Sequence, residues 1–277
     1  MRRSLIVTGD GQAEVVARTL GALPLISERY ETTFFFDAPV PEDDSGESLL
    51  LEQVHSIEPN EATRSSERRM RFPQLHFDLL WPLATINPAN RADPPRFPSG
   101  PFPFGDAFLQ SCIAAGLGRS EIFRLYFLNG WADSWPNLDG LLNRETMRLQ
   151  AQDAAFGSRI GAYVLEHFRE RRLFLTPHSP TNLTLGALVA ELAERLVPDA
   201  RIDPEEIAYA IASPYDAEAL GSLELPIHPA VAAHLGLTWV TPLTRYNYFD
   251  GEILTDREYY VRFMEHVGAY VDGIGTG

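Results

Sequence analysis

Residues Ser4–Leu20 constrain the fold more than any other stretch of this chain. Ser4-Leu5-Ile6-Val7 reads as a short buried strand, Thr8-Gly9-Asp10-Gly11 as a tight turn, and Gln12–Leu20 as the helix that follows. A strand that enters a helix through a glycine turn is the opening of an α/β sheet. The helix start is chemically useful, because its first N–H groups have no intrahelical acceptor and favour negative charge. Glycine at 9 and 11 lets the backbone turn sharply and lets a ligand approach it. The simpler reading is a loop that only changes the direction of the chain.

The rest of the chain continues the alternation. Tyr30–Phe36 is aromatic and β-branched, hence a second strand, and Leu49–Val54 reads as a third. Pro39–Ser45 is an acidic, proline-rich loop, and Glu61–Arg71 is polar and carries Arg64, Arg68, Arg69 and Arg71. Ile86–Gly105 is too rich in proline for a helix or a central strand and reads as a long ordered loop. Phe104-Gly105-Asp106 opens the helix that carries Cys112, and Ser120 reads as the N-cap of the next. Gly130–Leu141 is a tryptophan-rich loop with Trp131 and Trp135, and Leu142–Arg172 reads as a long helical stretch broken near Gly157. Leu173–Thr176, Pro177–Asn182 and Leu183–Leu196 then repeat the opening as strand, turn and helix. A helix starts after Pro229, and a last one covers Glu258–Tyr270, capped at Thr255 or Asp256. No repeat or linker interrupts the pattern, so a single α/β domain over residues 1–277 is expected, with a parallel sheet and helices on both faces.

Composition removes several kinds of chemistry. The net charge of −15 repels nucleic-acid phosphates, so no nucleic-acid partner is expected. All 23 basic residues are arginine. The absence of lysine excludes a Walker A lysine and a Schiff base, so any ligand phosphate must be held by arginine or by backbone N–H groups. Cys112 is the only cysteine, which excludes an intrachain disulfide and a multi-cysteine zinc site, and its amphipathic helix makes a buried core thiol the expected role. No His/Asp/Glu spacing suggests a metal site. No apolar run reaches the roughly 18 residues of a membrane span, and Ser4–Val7 is too short for a signal-peptide core, so a cytoplasmic location is expected.

The strand followed by Gly9-Asp10-Gly11-Gln12 resembles the Gly-Asn-Cys-Gln opening of the WcbI-like family, acetyltransferases of capsular polysaccharide biosynthesis. Gln53 at the end of the third strand, the segment Phe72–Pro82 and the Leu173–Leu196 strand, turn and helix are also similar to that family, in the same order. The resemblance implies a three-layer α/β sandwich with a mainly parallel central sheet, like the SGNH hydrolases, with helical additions. It also implies coenzyme A or acetyl-CoA as co-substrate and a saccharide or other small molecule as acceptor. This chain departs from the motif at two positions: Asp10 replaces the asparagine and Gly11 replaces the cysteine.

Three residues are expected to carry catalysis. His178 lies in the turn beside Ser179, and an imidazole is a side chain that can take a proton from a sugar hydroxyl; the alternative is a histidine that caps the following helix. Asp10 either orients His178 across adjacent strand ends or N-caps the first helix. Gln12, with the N–H groups of Gly11 and Gln12, is a candidate oxyanion stabiliser. Gly9, Gly11, Ser179 and the arginines at 64, 68, 69 and 71 are expected to hold the cofactor, although the arginines also read as a solvated helix face. Glycine cannot be a nucleophile. Acyl transfer must therefore be direct, or the chain only binds coenzyme A or a sugar nucleotide. An SGNH-like esterase is a third reading, disfavoured because no serine occupies the turn.

Overall fold

Four parallel strands at the start of the chain organise the part of the molecule that holds the predicted site. The computed structural model describes residues 2–37, 48–55, 68–128, 136–199, 201–212, 218–221 and 223–274. Arg64, Trp131, Trp135 and the loop Pro39–Ser45 lie outside the described residues. The elements begin with β1 (Arg3–Gly9), α1 (Gly11–Ala22), α2 (Pro24–Ser27), β2 (Tyr30–Phe36), β3 (Leu49–Val54) and β4 (Arg69–Pro73). There follow β5 (Ala84–Ile86), β6 (Phe104–Asp106), α3 (Ala107–Ala114), α4 (Arg119–Phe127), α5 (Leu138–Phe156) and α6 (Ile160–His167). The chain continues with β7 (Phe174–Thr176), β8 (Ser179–Pro180), α7 (Asn182–Leu196), α8 (Pro204–Ile211) and α9 (Pro229–Leu235). It closes with β9 (Tyr246–Asn247), β10 (Ile253–Leu254) and α10 (Asp256–Ile274). Two compact units result: residues 1–77 with 144–221, and residues 78–143 with 222–277.

In the first unit the strands run in the order β2-β1-β3-β4, all parallel, and helices flank the sheet, giving the mixed α/β class expected. Alternation along the strands sets the register. Leu5 pairs with Leu49 and Val7 with Leu51, and the side chains of Leu5, Val7 and Leu51 are fully buried. Each such burial contributes about 1.5–3 kcal/mol. One step further in this register Gly9 stands beside Gln53. Gly9 has φ +148°, and a Cβ there would sit 2.3 Å from Gln53 Oε1 and 2.8 Å from Ala13 Cβ, so only glycine fits. α1 packs on β1 and β2 through Val15, Val16 and Leu20, and α7 packs against α1, α6 and α8. α7 is buried on nearly all its faces, as its apolar run Leu183–Leu196 requires.

Five local readings are corrected. β7 does not add a parallel strand to the sheet: the chain reverses at Pro177-His178 and pairs β7 with β8 in a two-stranded antiparallel hairpin. The neighbours of β1 are β2 and β3, so Asp10 and His178 do not stand at adjacent strand ends. Arg69 and Arg71 lie in strand β4, not on a helix; the alternation Arg69-Met70-Arg71-Phe72 has the period of a strand. Gly118, not Ser120, is the N-cap of α4. The long helical stretch starts four residues early, at Leu138, and breaks at Gly157, which has φ +59°.

The second unit joins the β5–β6 and β9–β10 antiparallel pairs to α3, α4, α9 and α10. Its core is aromatic: Phe102, Tyr126, Tyr259, Tyr260 and Phe263 are buried, and Trp81 Nε1 donates to the Leu225 carbonyl at 3.0 Å. Asp106 N-caps α3 by accepting from Leu109 N at 2.9 Å, and it accepts the Tyr126 hydroxyl at 2.6 Å. Burial pushes its carboxyl up to about 6, against the opposing effect of the hydrogen bonds from Leu109, Tyr126 and Phe108. Cys112 is half-buried in α3.

Two outcomes test these constraints. Gly9→Ala is expected to destabilise by more than about 1 kcal/mol in chemical denaturation, because both the positive φ and the Gln53 contact oppose a Cβ. The folded-state pKa of Asp106 lies above the unfolded 3.8, so its contribution is fully present below that value and is lost as pH rises through about 6. From pH 4 to pH 7 the native protein should therefore lose up to about 3 kcal/mol relative to Asp106→Asn, and parallel stability curves for the two proteins would exclude this account.

Candidate functional site

The strand order reverses between β1 and β3, and ligands in open α/β sheets bind at such a point, outside the carboxyl ends of the strands. The residues that end these two strands, Gly9 and Gln53-Val54, therefore frame the candidate site. Asp10 follows Gly9 and starts α1. Its backbone N–H donates to Gln53 Oε1 at 2.8 Å, and its Oδ1 accepts from Gln12 N at 2.8 Å. Gln74 Nε2 donates to Oδ2 at 2.6 Å. Both carboxylate oxygens are thus engaged, and Asp10 is the N-cap of α1, where a negative charge also meets the favourable end of the helix dipole. Among the described residues no hydrogen bond joins Asp10 to His178.

Gln12 is buried and makes the connection that Asp10 does not. Its Nε2 donates to the Leu75 carbonyl at 2.9 Å and to the His178 carbonyl at 3.0 Å, while its Oε1 accepts from Leu75 N at 2.8 Å. One carboxamide therefore ties the start of α1 to the segment after β4 and to the β7–β8 turn. Phe77 N adds a bond to the Pro177 carbonyl at 2.9 Å, and Thr176 Oγ1 donates to Ser179 Oγ at 2.9 Å. His178 sits exposed on a turn whose backbone is held from both sides, with its ring centroid 6.1 Å from that of His76. The alternative role for His178, capping α7, is not taken up; Thr181 occupies the N-cap position.

These bonds leave particular donors open. Gln12 N and both protons of the Gln12 amide are engaged, so Gln12 is a clamp. The N–H of Gly11, at the first position of α1, has no acceptor within the helix. Gln53 Nε2 is buried with no hydrogen-bond partner among the described residues, a costly arrangement beside this turn. A Cβ at Gly11 would meet only Leu220 Cδ2, at 3.9 Å, so the turn keeps room for a side chain it does not have. The arginines are partly neutralised. Arg69 forks onto Glu52 at 2.6 and 3.0 Å, and Arg71 Nε reaches the same carboxylate at 2.8 Å. Burial would raise the Glu52 carboxyl, but these two guanidinium groups outweigh it and hold the group below its ordinary value. Arg68 is exposed in the turn just before β4. No cluster of three or more possible metal ligands occurs among the described residues, and no helix there is long and apolar enough to cross a membrane.

Sequence reading missed Gln74 and the clamping role of Gln12. Gln74 had no signal beyond its place after a Phe-Pro pair, and the partners of Gln12 are 63 and 166 residues away.

Comparison with known proteins gives a consistent picture. The family model described as "Polysaccharide biosynthesis enzyme WcbI" matches residues 55–200, a span that holds Gln74 and His178 and begins after the Gly9–Gln12 turn. The fold is similar to a solved structure described as WcbI, a novel polysaccharide biosynthesis enzyme, in a native form without a disulfide bond between coenzyme A and a cysteine. The TM-score is 0.61 at 13% identity, over 96% of this chain and 90% of that one. No curated protein matches the sequence.

Replacing Gln12 by leucine strands the Leu75 N–H and the carbonyls of Leu75 and His178. A loss of about 1–3 kcal/mol in urea denaturation is expected, and an unchanged midpoint would show that the clamp contributes nothing.

Proposed function

Because the chain belongs to the WcbI family of polysaccharide biosynthesis enzymes, we propose that it transfers an acetyl group from acetyl-CoA to a sugar hydroxyl, as a cytoplasmic step in the making of a surface polysaccharide. The observation that carries this reading is the start of α1 at the strand switch, whose Gly11 N–H has no acceptor within the helix, strapped through Gln12 to the turn that holds His178. The resemblance to a protein whose description names coenzyme A supports the choice of acyl donor.

In this reading the His178 imidazole takes the proton from the acceptor hydroxyl as its oxygen attacks the thioester carbonyl. The oxyanion that forms is met by the N–H at the start of α1, where the helix dipole favours negative charge. When the C–S bond breaks, the electron pair leaves on the coenzyme A sulfur and the imidazolium returns the proton to that thiolate. No covalent enzyme intermediate is involved, which suits a chain with glycine at the position of the family's cysteine. Arg68 and Arg69 stand at the amino end of edge strand β4, about 13 Å along the strand from the turn, so in this reading the coenzyme runs back along that strand to bring its phosphates to them, with Arg71 and Glu52 between.

A second reading is favoured by one observation, the room for a Cβ at Gly11. A site shaped for a cysteine and lacking it suits a protein that binds coenzyme A without turning it over.

Calorimetric titration with coenzyme A and acetyl-CoA, followed by an acetyl-transfer assay, separates the two. Transfer requires micromolar binding, weakened by replacing Arg68 and Arg69 with alanine, and a His178→Ala protein that still binds but loses turnover by about 10²–10⁴-fold. A pure binder gives the same titration with no turnover in either protein. No binding at millimolar ligand overturns both.

A further inference from the structure

The second unit contains a cavity of about 750 Å³, formed by α9, the loop 236–244 and the first turn of α10. That volume lies in the range of small-molecule sites. We propose that this cavity binds an uncharged saccharide unit, an inference that rests on the polysaccharide chemistry proposed above and adds a seat for the sugar.

The walls are amphipathic in the way a sugar ring is. Ile227, Leu237, Val240 and Pro242 offer apolar surface to ring C–H groups. Thr238, Thr241, Thr244 and Thr255 bring four hydroxyls to the same space. The Thr241–Thr244 loop is pre-organised: Thr244 Oγ1 accepts from Thr241 N at 2.7 Å and donates to the Trp239 carbonyl at 3.3 Å, and Thr241 Oγ1 accepts from Leu243 N at 3.2 Å. Thr241 Oγ1 and Thr244 Oγ1 also bond each other at 3.3 Å and Thr255 Oγ1 donates to Glu258 Oε2 at 2.8 Å, so these hydroxyls meet a polyol as acceptors, with lone-pair positions left on Thr241 and Thr255.

Charge decides against an anionic ligand. Asp256 and Arg257 line the cavity together and cancel. The start of α10 already carries a carboxylate through its own capping box, in which Thr255 Oγ1 accepts from Glu258 N at 3.1 Å and Glu258 Oε2 accepts from Thr255 N at 2.8 Å. Both a carboxylate and a guanidinium border this space, so polyol hydroxyls find an acceptor in Asp256 and a donor in Arg257. The Arg257 guanidinium is placed 6.0 and 5.9 Å from the ring centroids of Phe123 and Phe127, which limits its wandering.

The test is saturation-transfer NMR on the full chain with the methyl glycosides of glucose, mannose and galactose at millimolar concentration, and with uridine monophosphate as the anionic probe. Ala233 is an exposed residue of α9 in the cavity wall, so Ala233→Trp fills the space without removing a core group. Transfer to at least one glycoside is expected, abolished in Ala233→Trp and about tenfold weaker in Arg257→Gln, the loss of one charge-assisted hydrogen bond. Silence with every glycoside, an unchanged signal in Ala233→Trp, or tighter binding of uridine monophosphate overturns the proposal. Coenzyme A titration of the same proteins keeps the two readings apart. Glycoside binding without coenzyme binding sinks the transferase and leaves the saccharide site standing, and the converse result sinks only the site.

Discussion

The carboxamide of Gln12 is the joint on which the candidate site depends. It is buried, and its two protons and its oxygen meet three backbone groups contributed by segments far apart in the chain. A carboxamide suits this task because it offers donors and an acceptor in one plane with fixed spacing, whereas a carboxylate would place acceptors against two carbonyls. Each bond contributes about 1 kcal/mol net, but a partner left unmatched in the interior costs up to about 3. The clamp therefore specifies geometry more than it adds stability. The exposed ring of His178 is supported by a turn that has little freedom to drift.

The same economy of space shapes the other side of the turn. Gly9 lacks a side chain because Gln53 occupies that volume, and Gln53 in turn receives the Asp10 N–H. Asp10 then caps α1 and takes the Gln74 amide. Glutamines and one aspartate thus settle the conformation of the helix start, while the Gly11 N–H, at the first position of α1, has no acceptor within the helix. The two glycines have opposite meanings. At 9 the structure forbids a Cβ, while at 11 it tolerates one. The first is a requirement of packing, and the second is a chemical choice that separates this chain from a cysteine-bearing site.

The second unit uses a different principle. Its core combines aromatic rings with a buried carboxyl, and Asp106 is retained there because it caps α3 and anchors the Tyr126 hydroxyl. Burial makes its charged form expensive, and the hydrogen bonds recover only part of that cost.

The opening strand, turn and helix were legible because Ser4–Leu20 combines an apolar run, a glycine turn and an amphipathic helix within local range, and the same holds for β2, β3, α7 and α9. The class of the fold, the parallel sheet and the absence of lysine chemistry follow from that local pattern and from composition. β7 misled because a three-residue strand is the same locally whether it joins a sheet or folds back on its neighbour, and only pairing distinguishes them. Arg69 and Arg71 misled because clustered charge outweighed a strand-period alternation, and their partner Glu52 lies on another strand. The sequence by itself determined which residues occupy the turn, including Gly11 where the motif it resembles has cysteine. Only the tertiary structure decided that Asp10 is a cap, that Gln12 is a clamp and that His178 shares its anchor, since hydrogen bonds spanning 63 to 166 residues leave no periodic trace along the chain.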